Sequence, residues 1–208
     1  VMMKKLNLET WHRKDHFLFF KQFEEPFFGV SVNIDCTKGY ETAREKNIPF
    51  FLYYLHKTLV ACNHIEPFRY RICEEEVCVY ERVNASPTIN RPDGTFGFAY
   101  IDYIEDINLF KKEAQNVIDQ VQQSKGLIPA VSGENIIHFS SIPWIKFTSV
   151  SHARSFAFRD SIPKISVGKI TLENGIRAMP FSVHVHHGLM DGYHVGQFLE
   201  HFQTLMAE

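Results

Sequence analysis

The sequence predicts an α+β fold, a mixed β-sheet flanked by helices, and three observations carry that expectation. Stretches of period-two alternation and stretches of helical spacing are interleaved along the chain, without the regular strand–helix order of a doubly wound sheet. Glu173-Asn174-Gly175 separates two apolar runs, and Asn-Gly is a favoured two-residue hairpin turn. The 208 residues suit a single domain spanning 1–208, with 45% apolar and 22% charged residues and no internal repeat, low-complexity tract or long linker.

The elements follow in order. Residues 11–17, Trp-His-Arg-Lys-Asp-His-Phe, read as the solvated first turn of a helix, in which Arg13 could pair with a buried carboxylate. Residues 30–35 alternate and read as a strand, and residues 40–47 as a short polar helix ended by Pro49. Residues 50–63 are apolar nearly all round, the mark of a buried helix. Residues 70–82 form a hairpin around the acidic tip Glu74-Glu75-Glu76, and the aromatic-rich residues 95–103 a strand. Ile107, Phe110, Ala114, Val117, Ile118 and Val121 recur at helical spacing in an amphipathic helix that stops before Gly126. Residues 135–141 read as a strand closed by Pro143-Trp144, and residues 164–171 and 176–186 as the arms of the Asn-Gly hairpin. Val195, Phe198, Leu199, Phe202, Leu205 and Met206 give a last amphipathic helix.

Composition excludes several function classes. A formal charge of −2 leaves no basic footprint for nucleic acid. No stretch has the apolar length of a membrane span, and the start has positive charge without an apolar run, so a cytoplasmic protein without a secretory signal is expected. Cys36, Cys62, Cys73 and Cys78 make no CxxC pair and read as buried free thiols. The 19 phenylalanines point to a phenylalanine-rich core, an apolar pocket or a large subunit interface.

The densest chemistry is His184-Val185-His186-His187-Gly188-Leu189-Met190-Asp191-Gly192. Phe181, Val183 and Val185 share one strand face, and alternation puts His187 with them while His184 and His186 point the other way. His187 could serve as a general base organised by Asp191. It could equally be a hydrogen-bonded core histidine, with Asp191 the N-cap of the last helix. A zinc reading has His184, His186, His187, Asp191 and His194 to draw on, but adjacent strand residues diverge and this is no helical HExxH, so no metal is expected. Ser140 and Ser141 end a strand, where a hydroxyl can support an oxyanion or simply shape a turn. Neither sits in a GxSxG elbow, and no glycine pattern cradles phosphate.

Taken together, these stretches resemble the chloramphenicol acetyltransferase family of the trimeric HHxxxDG type, over nearly the whole chain. The carriers are residues 11–17, Ser140-Ser141-Ile142-Pro143-Trp144, Phe147-Thr148-Ser149, Ser166-Val167-Gly168-Lys169 and His186-His187-Gly188-Leu189-Met190-Asp191-Gly192-Tyr193-His194-Val195. HHxxxDG alone also marks dihydrolipoyl acyltransferase cores and peptide-synthetase condensation domains; the combination is narrower.

The resemblance implies a CoA-dependent acyltransferase-like two-layer sandwich assembled as a homotrimer, with active sites at subunit interfaces. It implies acetyl-CoA as co-substrate and a small-molecule hydroxyl acceptor such as chloramphenicol. It makes His187 the general base and Ser140 the hydroxyl that stabilises the oxyanion. Asp191 becomes structural support paired with Arg13, Ser166 stands for a threonine that holds an ordered water, and Phe20, Phe96 and Phe98 line the acceptor pocket. Transfer would be direct, without an acyl-enzyme. The chain departs from the family pattern at Phe20, Gly94, Phe98, Val150-Ser151-His152-Ala153 and Met190, mostly where the acceptor would bind. The alternatives are the same fold with another alcohol or thiol acceptor, including a lipoyl-type thiol, or a trimeric binding protein without turnover.

Overall fold

The computed structural model describes residues 2–127 and 133–208. Its elements are β1 (Met3–Lys5), α1 (Lys14–Phe20), β2 (Phe27–Asp35), α2 (Thr37–Glu45), α3 (Phe50–His64), β3 (Tyr70–Cys73), β4 (Glu76–Tyr80), β5 (Asn84–Asn90), β6 (Phe96–Phe98), α4 (Ile107–Gln123), β7 (Ile136–Ser141), β8 (Lys164–Val167), β9 (Thr171–Glu173), β10 (Ile176–His186) and α5 (Gly192–Met206). The main sheet runs β2-β10-β8-β7-β5-β6, with β9 also on β10. β5, β7 and β8 are parallel neighbours and the other pairs antiparallel, so the sheet is mixed as the sequence predicts.

Alternation divides the sheet into two unlike faces. Ile137, Phe139, Ile165, Val167, Phe181, Val183 and Val185 join one core with side chains of α2 to α5. Phe181 packs on Phe198 and Phe202 of α5, with ring centroids 6.1 and 4.6 Å away. The helices therefore form one layer. The residues between, among them Ser140, Ser166 and Ser182, face away from it.

A small second sheet, β1-β4-β3, packs with α1 around Trp11, Phe17, Tyr70, Val77 and Leu189. This corrects the solvated reading of residues 11–17. Trp11 and Phe17 are buried because the second sheet covers them, and Arg13 is buried where it meets Asp191 and the His187 carbonyl; neither covering is visible in the local sequence.

Three other expectations shift. The strand foreseen over 95–103 survives only at Phe96–Phe98, with Ile101 returning as a single bridge to Ala85. The run 164–171 breaks into β8 and β9 at Gly168, whose N–H turns to Pro180 O at 2.8 Å. A Cβ there would come within 2.9 Å of Ile145 O and the Phe147 ring. β5 was not foreseen, because Asn84-Ala85-Ser86-Pro87 lacks apolar alternation. The Asn-Gly hairpin stands: Asn174 and Gly175 take φ of 51° and 80°, the left-handed pair that a type I′ turn requires. All four cysteines are free.

Candidate active site

β10 delivers the histidines. It ends at His186, but the His187 N–H still donates to Pro26 O at 2.8 Å, so the ladder with β2 persists one residue further. That keeps His187 in phase with Val185, the cross-strand partner of Phe28. The His187 ring stacks on Phe20 of α1, with centroids 4.1 Å and planes 8° apart, and leans on Phe28 at 4.6 Å. Its Nδ1 is buried without a hydrogen-bond partner. His186 points the other way and is buried; its Nδ1 accepts the Gly188 N–H at 3.0 Å. Burial, helped by the nearby Arg154 charge, pushes its pKa down to about 4.

The loop after His187 is clamped by an ion pair. Arg13 Nη1 donates to Asp191 Oδ2 at 2.7 Å, and Nη2 donates to the His187 carbonyl at 3.1 Å. Asp191 also caps α5, accepting the Tyr193 N–H at 3.1 Å, while His194 Nδ1 accepts the Asp191 N–H at 3.2 Å. Partial burial works to raise the Asp191 pKa. The hydrogen bond and charge of Arg13 outweigh it, and the net value is lowered. Asp191 is thus both N-cap and ion-pair partner, and Arg13 fixes the backbone that presents His187.

The opposite sheet face carries polar rows. Ser140 on β7 is level with Ser166 on β8, Ser182 on β10 and Ser31 on β2. The row two residues away holds Ser86, His138, Lys164, His184 and Gly29. Ser166 is fully buried and its Oγ has no partner. Ser141 points to the helix side, where its Oγ lies 3.1 Å from the Tyr54 hydroxyl. This separates the two serines that the sequence left side by side. Ser140 faces a cavity of about 560 Å³ whose lining includes Phe96, Phe98, His138, His152 and Lys164.

The predicted site residues therefore fall into two groups. His187, Arg13, Asp191 and Phe20 gather at the end of β10; Ser140, Phe96 and Phe98 line the cavity, with Ser166 beside Ser140 in its row. His187 lies five residues along β10 from Ser182, and Ser182 lies two strands from Ser140. At about 3.3 Å per residue and 4.8 Å per strand, the two are roughly 19 Å apart in one chain.

His138 escaped the sequence reading, although its place two residues before Ser140 on the same strand face was a usable signal. The proposed metal donors do not converge: among the described residues, no three His, Cys, Asp or Glu side chains are placed to hold a metal ion. No helix among them is long and apolar enough to cross a membrane.

A family model described as chloramphenicol acetyltransferase matches residues 1–203. A chloramphenicol acetyltransferase of Bacillus pumilus is 29% identical over 207 residues, covering 99% of this chain and 94% of the relative. One from Proteus mirabilis is 28% identical over 204 residues, covering 98% and 94%. Among solved structures, a chloramphenicol acetyltransferase superposes with a TM-score of 0.91 at 27% identity, covering 99% of this chain and all of that one. A probable dihydrolipoamide acetyltransferase from Listeria monocytogenes is similar in fold, with a TM-score of 0.68 at 15% identity over 98% of this chain and 94% of its own.

Proposed function

The chain belongs to the chloramphenicol acetyltransferase family and is an acyltransferase of that family; from this premise we propose that it is a cytoplasmic, acetyl-CoA-dependent O-acetyltransferase acting on chloramphenicol or a related small hydroxyl-bearing compound. The His187 imidazole accepts the acceptor's hydroxyl proton as that oxygen attacks the thioester carbonyl. The Ser140 hydroxyl donates to the carbonyl oxygen as negative charge grows there. Collapse expels the CoA thiolate, and His187 returns the proton. Arg13 and Asp191 hold the His187 backbone in place. Ser166, buried with a free Oγ in the Ser140 row, suits an ordered water beside the intermediate.

The observation that carries the assembly is the separation of base and oxyanion donor. A group within hydrogen-bond reach of one cannot touch the other across roughly 19 Å of the same chain. We therefore take the active site to form between copies, His187 of one meeting the Ser140 cavity of the next, in a homotrimer.

Hybrid trimers test this. His187→Ala should cost about 10²- to 10⁴-fold in rate and Ser140→Ala about 10²- to 10³-fold, with the acceptor KM little changed in the latter. Co-refolding the two inactive variants should restore activity, because some interfaces then combine an intact His187 with an intact Ser140. Hybrids as inactive as their parents, with trimers confirmed by sedimentation, would refute the interface site. Thiol release from acetyl-CoA with a panel of small alcohols, chloramphenicol included, tests the activity.

A further inference from the structure

The cavity beside Ser140 has an apolar side, which includes Phe96, Phe98 and Ile136, and a polar side made of Ser86, Thr88, His138, His152 and Lys164. Lys164 is the one formally charged residue of that lining, and its ammonium is spent on the Asp160 carboxylate and on Ile162 O at 3.1 Å. The described lining thus offers no free charge to select an ionic acceptor.

The two histidines are held in place. His138 stands two residues before Ser140 on β7, between Ser86 of β5 and Lys164 of β8 in register. His152, on the loop after β7, meets His184 edge-on with centroids 4.7 Å apart and planes at 82°. His184 lies over Gly29, so β2 backs it in turn. His152 Nε2 is buried with no partner, which leaves hydrogen-bonding capacity unused. Burial first, then neighbouring positive or imidazole groups, pushes both histidines down to about 4. Both are therefore uncharged at neutral pH.

An uncharged imidazole donates one hydrogen bond and accepts another, as serine and threonine hydroxyls do. A ligand hydroxyl has the same two-way character. Charged groups and one-way donors do not match such a lining; a cluster of hydroxyls does. We propose that the acceptor is a compact ring bearing several hydroxyl groups, with His138 and His152 as specificity-determining residues that bind the non-reacting hydroxyls while the ring's apolar face lies on Phe96 and Phe98. The proposal rests on the acetyl-transfer reading above and narrows its acceptor.

Thiol release from acetyl-CoA would be followed with methyl glucoside, myo-inositol, their mono-deoxy analogues, cyclohexanol and chloramphenicol. The ring polyols should exceed cyclohexanol in kcat/KM by at least about tenfold, and loss of one bound hydroxyl should cost about tenfold, as for one hydrogen bond with a stranded partner. His138→Leu and His152→Leu should bring the polyol-to-deoxy ratio towards one. His138→Asn and His152→Asn, which keep a donor and an acceptor, should retain it. Preference for methyl glucoside identifies a sugar, and for myo-inositol a cyclitol. Cyclohexanol or chloramphenicol turned over as well as the polyols would overturn the proposal, as would variants that slow every acceptor equally. If no acceptor is acetylated, the acetyl-transfer reading fails instead. Calorimetry with the same polyols then tests the cavity alone: weaker binding to His152→Leu than to the parent supports the proposal, and no binding to either overturns it.

Discussion

Phe20 lies flat against the His187 imidazole, with ring centroids 4.1 Å apart and planes 8° apart. Phe28 closes on the same imidazole from β2 at 4.6 Å. The histidine is held between an α1 residue and a strand neighbour, two elements that meet only through the tertiary fold.

Phe20→Ala should therefore lower kcat by about tenfold, since a misplaced base loses near-attack geometry even when its chemistry is intact. Phe20→Tyr keeps the ring and should retain most of the rate. Steady-state kinetics on both variants give the answer, and an unimpaired Phe20→Ala would remove the clamp from the mechanism.

Arg13 and Asp191 join α1 to the start of α5 across the His187 backbone. The Arg13 side chain is 5% exposed and that of Asp191 34%, so the pair is desolvated mainly on the cationic side. Asp191→Asn should destabilise the fold by about 2 kcal/mol, the low end for breaking a buried pair because Asp191 is partly solvated. It should slow transfer as well. Urea unfolding at fixed protein concentration measures the first, and an unchanged midpoint would count against the clamp.

Stability should fall as pH drops below neutrality. His138, His152 and His186 are pushed down to about 4 in the fold, by burial above all, while an unfolded histidine titrates near 6.5. Between about 4 and 6.5 the unfolded chain binds protons that the folded chain refuses, so stability rises with pH across that window and is complete above it. Each histidine contributes a slope of at most about 1.4 kcal/mol per pH unit. Unfolding midpoints that stay level from pH 7 to pH 5 would contradict this environment.

Gly29 sits opposite His184 in the β2–β10 ladder, and a Cβ on it would come within 2.2 Å of the His184 ring. Gly29→Ala should cost about 1–3 kcal/mol, as overpacking does. It should also pull His184 off His152 and raise the acceptor KM more than it lowers kcat. A thermal melt with parallel kinetics separates the effects, and a variant as stable as its parent would show that His184 moves freely.

Much of the architecture was legible locally. The all-round apolar run predicted α3, the 3.6-residue spacing α4 and α5, and the Asn-Gly pair its turn. What escaped has a common cause. β5 carries small and polar residues because its neighbours, not its own alternation, hold it in the sheet. Trp11 and Phe17 looked like surface because the strands that cover them with Tyr70 and Val77, β3 and β4, come some sixty positions later in the chain.

The sequence by itself determined the α+β class, and its strand phase set His187 apart from its neighbours, because alternation is enforced residue by residue along one strand. Only the tertiary structure decided which serine faces the cavity, that His138 and His152 share it, and that Ser140 and His187 lie far apart in one chain. Those relations depend on strand order and register. These are set by pairing between segments distant in sequence, and the pattern within any one segment carries no record of its neighbours.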